Sequence, residues 1–277
     1  MARNTRIPFA KMSGSGNDFV IIDNRKDVVP RRTMPAFVKA VCRRGLSVGA
    51  DGVIFIQKSK KADFRWHYFN ADGGEAEMCG NGSRCAARFA VMHKIASKRM
   101  AFETLAGLIH AEVGDKAVTV QLPLPTDLRL DLTVDLGVKS YAAHFVNTGV
   151  PHTVVFVDDV EAVDVQSTGQ AIRYHRMFAP AGTNANFVRV DSPHRLTIRT
   201  YERGVEAETL ACGTGAVAAA VLAGLLGKVT SPVTLKTRGG PPLGVSFTVD
   251  GRRVTSVTLT GEARLVYEGA LTPEALR

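Results

Sequence analysis

The sequence predicts an α+β protein made of two similar domains, and three observations carry that expectation. Short strand-patterned segments outnumber helical ones, which is the signature of α+β packing. The chain has 277 residues, more than one average domain and enough for two. Segments of the first half reappear in order in the second half at an offset near 133 residues, a domain-sized repeat rather than a solenoid.

Taken in order, RIPFAKMSGSGNDFVIIDNR reads as a strand, a Gly/Ser turn and a second strand at Phe19–Asp23. Pro35–Arg44 has helical apolar spacing at Phe37, Val38, Val41 and Cys42 and is closed by Gly45. Strands are expected at Val53–Gln57 and Asp63–Phe69. After the loop NADGGEAEMCGNG, the run SRCAARFAVMHKI is helical in spacing and starts beside a capping Ser83. Ala101–Val113 and Ala117–Leu122 read as a hairpin around Val113-Gly114-Asp115, with Pro123 and Pro125 ending the strand character. In the second half GVPHTVVFVD matches GNDFVIID, TNANFV stands in the place of DGVIFI, and Cys212-Gly-Thr-Gly repeats Cys79-Gly-Asn-Gly. Both Cys-Gly-x-Gly motifs run into Ala-rich helical segments. The junction is expected within LPTDLRLDLTVDLG, giving domains 1–130 and 131–260, with the C-terminal strands 254–277 as candidates to complete the first sheet.

Composition excludes several classes of function. With 45% hydrophobic and 22% charged residues, the chain can bury a core and is not disordered. No apolar stretch approaches the length of a membrane span, and MARNTRIPFAKMSGSG lacks the apolar region of a signal peptide, so a cytoplasmic protein without membrane contact is expected. The net charge of +9 invites a nucleic-acid reading. Its distribution argues against one: residues 1–138 hold 21 basic and 14 acidic groups and residues 139–277 hold 14 and 12, with no basic run at the Cys-Gly-x-Gly loops. Basic charge also attracts small carboxylates. Four cysteines, Cys42, Cys79, Cys85 and Cys212, are too few for a disulfide framework and are expected as free thiols.

A cysteine at the mouth of a loop that opens into a helix meets backbone N–H groups without intrahelical partners. Those groups favour a thiolate and can grip a carboxylate, and the glycines let the backbone approach a ligand closely. Such a thiolate can take a proton and its thiol can return one. Two copies facing one cleft would remove a proton from one side of a carbon and supply one to the other, which is racemisation or epimerisation. A small buried cysteine is the plain alternative for either motif. Zinc is disfavoured because Cys79-x5-Cys85 lacks ligand spacing, no Cys-x-x-Cys supports redox use, and His152 as base to a covalent cysteine is not indicated by spacing. Cys42 and Cys85 read as core. Glu202 suits a substrate ammonium and Arg203 a carboxylate, while Asn17, Asn70, Asn81 and Asn184 offer oriented neutral donors and acceptors, with Asn70 at the repeat position of Arg203.

KMSGSGNDFVIID, FNADGGEAEMCGNGSRCAARF, GTNANFV and YERGVEAETLACGTGAVAAA together resemble the diaminopimelate epimerase family over nearly the whole chain. The resemblance implies two pseudo-symmetric α+β domains, each a mostly antiparallel sheet wrapped around a central helix, with the active site in the cleft between them. It implies interconversion of LL- and meso-2,6-diaminopimelate without pyridoxal phosphate or metal, in lysine and peptidoglycan precursor biosynthesis, by a homodimer. The catalytic cysteines fall on Cys79 and Cys212, and substrate binding falls on Asn17, Asn70, Gly80, Asn81, Asn184, Glu202, Arg203, Gly213 and Thr214, with His152 auxiliary. Three departures stand out: Val150 precedes Pro151-His152 where Asn is usual, Glu206-Ala207 lengthens the segment before Glu208 by one residue, and Gly52 replaces a Gln found in some members. A proline or hydroxyproline racemase is the runner-up, against which Arg203 and the asparagines suit a longer substrate with a charged far end. A non-catalytic basic binding protein would leave both cysteines unexplained.

Overall fold

A computed structural model describes residues 6–277. Residues 1–5 of the N-terminal stretch, on which part of the no-signal-peptide reading rests, lie outside the described residues. The chain forms two compact units, one running up to Val120 and joined by Gly261–Arg277, the other spanning Gln121–Thr260.

In the first unit, β1 (Ile7–Gly14) and β2 (Asn17–Asp23) form an antiparallel hairpin, and α1 (Met34–Val41) leads to β3 (Gly52–Gln57), which lies parallel to β2. The antiparallel β4 (Phe64–Asn70) and the short β5 (Glu75–Ala76) follow, then α2 (Gly80–Met92). Next come β6 (Arg99–Thr104), β7 (Gly107–Val113) and β8 (Val118–Gln121). β6 runs parallel to the start of β4, and the C-terminal strand Arg264–Leu271 pairs antiparallel with β1.

The second unit repeats this order. β9 (Thr126–Asp135), β10 (Ser140–Asn147) and β11 (Pro151–Phe156) are followed by α3 (Val165–Arg173), β12 (Asn184–Ser192), β13 (Arg195–Glu202) and β14 (Ala207–Thr209). After α4 (Gly213–Leu225) come β15 (Val233–Lys236), β16 (Leu243–Asp250) and β17 (Arg253–Gly261). β11 and β12 are parallel, as are β13 and β15, and the other neighbours are antiparallel. Each unit therefore has the same two parallel contacts at the same places in an otherwise antiparallel sheet.

Burial assigns each helix its role. α1 and α3 pack apolar residues against one sheet face: Met34, Val38 and Val41 meet Val20, Val53, Phe55 and Phe69, and Val165 and Ile172 meet Ala185, Phe187 and Tyr201. α2 and α4 are the central helices. Ten of the thirteen residues of each are buried, and α4 is apolar on every side, which suits a helix enclosed by a sheet. Among the described residues no helix is long and apolar enough to cross a membrane.

Several local expectations are corrected. α2 starts three residues before Ser83, with Cys79 as its N-cap, because the Cys79 sulfur accepts the Gly82 N–H. The segment 101–113 is two strands divided at Leu105-Ala106, closed by a Thr104 side-chain bond to Gly107 O at 2.9 Å. LPTDLRLDLTVDLG, read as a junction, contains β9, whose Thr133 and Val134 pair with Ala142 and Tyr141. The repeat is not rigidly 133 residues long. Phe19 pairs with Gly52 as His152 pairs with Asn184, so the first members stand 133 residues apart and the second members 132. Gly52 pairs with Asn70, while the ladder Ala185 to Tyr201 continues to align Asn184 with Glu202. The structural counterpart of Asn70 is therefore Glu202, not Arg203, and that of Tyr68 is Thr200. The extra residue in the β13–β14 turn restores the 133 offset at the cysteines.

β1 passes so near α2 that a β-carbon at Gly14 would lie 2.7 Å from the Asn81 carbonyl oxygen and 3.1 Å from Cys85 Sγ. Both are fixed parts of the helix. Gly14→Ala is expected to destabilise the protein by about 1–3 kcal/mol through overpacking, read as a lower urea midpoint; an unchanged midpoint would mean that the first turn of α2 can shift freely.

Candidate functional site

The two Cys-Gly-x-Gly loops fold alike because each cysteine takes the extended N-cap conformation and leaves its side chain over the first helical turn. Cys79 has φ −145° and ψ 116°, and Cys212 has φ −111° and ψ 112°. Each sulfur accepts a backbone N–H three residues on, Gly82 for Cys79 and Gly215 for Cys212, both at 3.4 Å. Cys212 Sγ also lies 3.5 Å from Thr214 Oγ1. The positive end of a helix and a donated N–H both favour the thiolate. A β-carbon at Gly215 would stand 3.3 Å from Cys212 Sγ and 2.5 Å from Asn186 Oδ1, and one at Gly82 would stand 3.2 Å from Ile54 Cδ1. Glycine at this position is what allows sulfur and amide to meet. Cys42 and Cys85 differ in kind: burial pushes each thiol up to about 12, so neither ionises near neutrality.

In the first unit the structure links Asn17 and Asn81 directly. Asn81 Nδ2 donates to Asn17 Oδ1 at 2.5 Å, and Asn17 Nδ2 donates to Asp51 Oδ2 at 3.1 Å. The amide orientations are set from the other end, where Arg84 Nη2 donates to Asn81 Oδ1 at 2.7 Å and to Ser15 Oγ at 2.9 Å. Arg84 is fully buried, its other bonds run to the carbonyls of Gly80 and Glu262, and none of these acceptors is a carboxylate. Burial pulls its pKa down, and a negative charge at Cys85 or Cys79 opposes that pull. Asn70 sits at the exposed end of β4, where its Oδ1 accepts the Tyr68 hydroxyl at 2.7 Å. Gly80 is buried at the start of α2.

In the second unit Asn184 Nδ2 donates to the Pro151 carbonyl at 2.7 Å, and Asn184 Oδ1 accepts the Arg203 N–H at 2.8 Å. Arg203 Nη1 reaches Ala181 O at 3.1 Å, and Glu202 is half-buried at the end of β13. Gly213 and Thr214 begin α4, and Thr148 Oγ1 donates to Thr214 O at 3.1 Å. His152 is fully buried, and desolvation followed by the Arg203 charge pushes it down to about 3. It is a neutral imidazole at working pH. Asn186 Nδ2 approaches its Nδ1 at 3.2 Å and donates to Thr153 O at 2.9 Å, while Asn186 Oδ1 accepts Thr200 Oγ1 at 3.0 Å.

Sequence reasoning missed Arg84, Tyr68, Asn186 and Thr200. Strand alternation could have found Asn186, since it shares a face with Asn184 two residues away. The Glu206 insertion has a structural use: its carboxylate accepts the Gly204 N–H at 2.9 Å and pairs with Arg173 of α3 at 3.2 Å. Burial alone would raise the Glu206 pKa, and these partners hold it below the usual value. Among the described residues no group of three or more His, Cys, Asp or Glu is placed to hold a metal ion.

Comparison with known proteins bears on the same residues. The family model described as diaminopimelate epimerase matches residues 9–123 and 144–266, which include both cysteine loops. This chain belongs to the diaminopimelate epimerase family. It is 48% identical over 276 residues to the diaminopimelate epimerase of Hydrogenobaculum sp., covering 95% of this chain and 98% of that protein. It is 47% identical over 279 residues to that of Aquifex aeolicus, covering 97% and 99%. Among solved structures, a phenazine biosynthesis protein of the PhzF family from Bacillus anthracis superposes with a TM-score of 0.76 at 14% identity, over 96% of this chain and 99% of that one. A hydroxyproline epimerase from Agrobacterium vitis gives 0.72 at 14% identity, over 99% and 94%. These two likenesses establish a shared fold for this family member, and the α+β architecture of paired repeats is that fold.

His152 makes the stability of the family member depend on pH. Above its unfolded value near 6.5 the imidazole is neutral in both states. Below it the unfolded chain binds a proton that the folded chain refuses until about 3, so stability falls with falling pH by about 1.4 kcal/mol per unit. His152→Gln is expected to remove one proton from the slope between about pH 6.5 and 5, read by urea unfolding at several pH values. His144, also held down by burial, acts in both proteins and leaves the difference unaffected. Equal slopes would show that His152 gains a proton while folded.

Proposed function

We propose that this protein interconverts LL- and meso-2,6-diaminopimelate, with Cys79 and Cys212 acting on opposite faces of one α-carbon. The observation that carries the proposal is the pair of thiols, each capping a buried helix through the N–H of a glycine three residues on, in two units of the same topology. Relatives named diaminopimelate epimerase, similar over nearly the whole chain, support the choice of substrate.

One cysteine enters as thiolate and the other as thiol. The thiolate takes the α-proton and becomes a thiol, leaving the electron pair on the carbon next to the carboxylate. The second thiol returns a proton to the opposite face and becomes the thiolate. Charge and protons balance, and the reverse direction exchanges the roles, so the two sulfurs titrate as a coupled pair. The backbone N–H groups at Gly80, Asn81, Gly213 and Thr214 hold the reacting carboxylate as negative charge spreads onto it. Asn17, Asn70, Asn184 and Arg203 read the distal end, Glu202 takes an ammonium group, and neutral His152 supports the pocket by packing and hydrogen bonding. This chemistry uses the two thiols alone for proton transfer and needs neither pyridoxal phosphate nor a metal. The domain reading joins residues 1–130 and 131–260 around the substrate. A cytoplasmic homodimer in lysine and peptidoglycan precursor synthesis completes the proposal.

The test is an assay of purified protein in deuterated water on LL-diaminopimelate, beside L-proline and trans-4-hydroxy-L-proline. Diaminopimelate should epimerise with solvent deuterium at the α-carbon of the product, and the two cyclic amino acids should not react. Cys79→Ser and Cys212→Ser should fold and lose at least about a hundredfold in turnover, because an alcohol is a far weaker base at neutral pH. Wild-type turnover by either variant, or product lacking deuterium, would overturn the two-thiol mechanism. Turnover of proline alone would move the substrate assignment.

A further inference from the structure

The Tyr68 hydroxyl is shared between two groups that the proposed function places at the substrate. It donates to Asn70 Oδ1 at 2.7 Å, and the Cys79 side chain is its other hydrogen-bonding neighbour. The ring is buried, edge-on to Phe19 at 5.9 Å between centroids and tilted against Trp66 at 5.8 Å, so the hydroxyl has little freedom to leave this position.

Gly52 makes room for it. A β-carbon at Gly52 would stand 2.6 Å from Tyr68 Cε2, 3.3 Å from its oxygen and 2.5 Å from the Phe69 carbonyl oxygen. At the equivalent places the second unit has Asn184 and Thr200, a longer side chain beside a shorter one. The first unit thus exchanges an amide for a phenol, and the Gly52 departure belongs with Tyr68.

We propose that Tyr68 is a positioning residue that couples the ionisation of Cys79 to the availability of the Asn70 carbonyl. A phenol has one proton to donate. While Cys79 is a thiol, that proton goes to Asn70 and the phenol oxygen can accept the S–H. When Cys79 is a thiolate, the proton turns to sulfur, which then has two donors, the hydroxyl and the Gly82 N–H. Asn70 Oδ1 is released at that moment and can accept from a substrate ammonium. The base form of the cysteine and a free acceptor for the substrate would then arise together. Burial, reinforced by negative charge at Cys79, holds the Tyr68 phenol above its ordinary value, so it remains a donor throughout the working range. Asp51 and Cys42 are the other titratable groups near the hydroxyl, and Arg84 and Cys85 lie on the helix that Cys79 caps.

The coupling rests on the proposed function only for its consequence, and it can be tested without substrate. In the intact protein, the rate of iodoacetamide alkylation at each cysteine is followed against pH by peptide mass spectrometry. Tyr68→Phe keeps the ring and should move the Cys79 profile up by about one pH unit, slowing its alkylation near neutrality about tenfold, the effect of losing one hydrogen bond to a charged group. The Cys212 profile should not change. Asn70→Ala removes the competing acceptor and should move Cys79 the opposite way, toward lower pH. The double variant should behave as Tyr68→Phe alone. An unmoved Cys79 profile in folded Tyr68→Phe, or an upward shift in Asn70→Ala, would overturn the proposal. Because no turnover is measured, either result stands apart from the outcome of the epimerase assay.

Discussion

A sulfur accepting a glycine N–H at the start of an enclosed helix is the interaction around which each unit of this protein is arranged. It makes several demands at once. The cysteine must be extended, so the helix begins one residue after it. The third helical residue must lack a side chain, since a β-carbon at Gly215 would collide with Asn186 and crowd the sulfur. The helix must be buried so that water does not replace the sulfur as acceptor. The sheet then has to curl around an apolar cylinder, which explains the unusual apolarity of α4 on every side. Activity and fold stability thus draw on the same first turn.

Buried polar groups around these turns are held in chains instead of isolated pairs. Arg84 orients Asn81, Asn81 orients Asn17, and Asn17 leans on Asp51. In the second unit Thr200 orients Asn186, which steadies His152. Each link fixes which end of an amide donates, and an amide that cannot flip presents one chemistry to a ligand. A fully buried guanidinium without a carboxylate partner is costly to keep in a core. Its position on the helix capped by Cys79 makes a thiolate there a natural balance to its charge.

The two units share topology while differing in side chains at matched places. Gly52 and Tyr68 stand where the other unit has Asn184 and Thr200, and Asn70 stands where it has Glu202. Exchanges of this kind keep the strand ladders intact because they conserve the summed bulk of neighbouring side chains on one sheet face. They let two copies of one scaffold address a substrate whose ends and faces are not identical.

The repeat, the two cysteine loops and the central helices were legible in the sequence because they are local: a Cys-Gly-x-Gly run, a helical period, an alternation of apolar residues. Family membership followed from the same strings. Register was not legible. An offset of 133 fits the cysteines and β2, yet β3 and β4 run at 132, and only the hydrogen-bonded ladders show which residues share a face. Nor could local pattern reveal that Cys79 rather than Ser83 caps α2, since capping depends on the backbone angles of the preceding loop. Arg84, Tyr68 and Asn186 looked like ordinary helix and strand residues. Their roles come from neighbours distant in sequence, brought near by sheet pairing and helix burial. By itself the sequence determined which residues carry the chemistry and in what repeated order. The tertiary structure decided which way each amide points, which hydroxyl reaches each thiol and which cysteines stay inert, because hydrogen-bond direction and desolvation are set by contacts made across the fold.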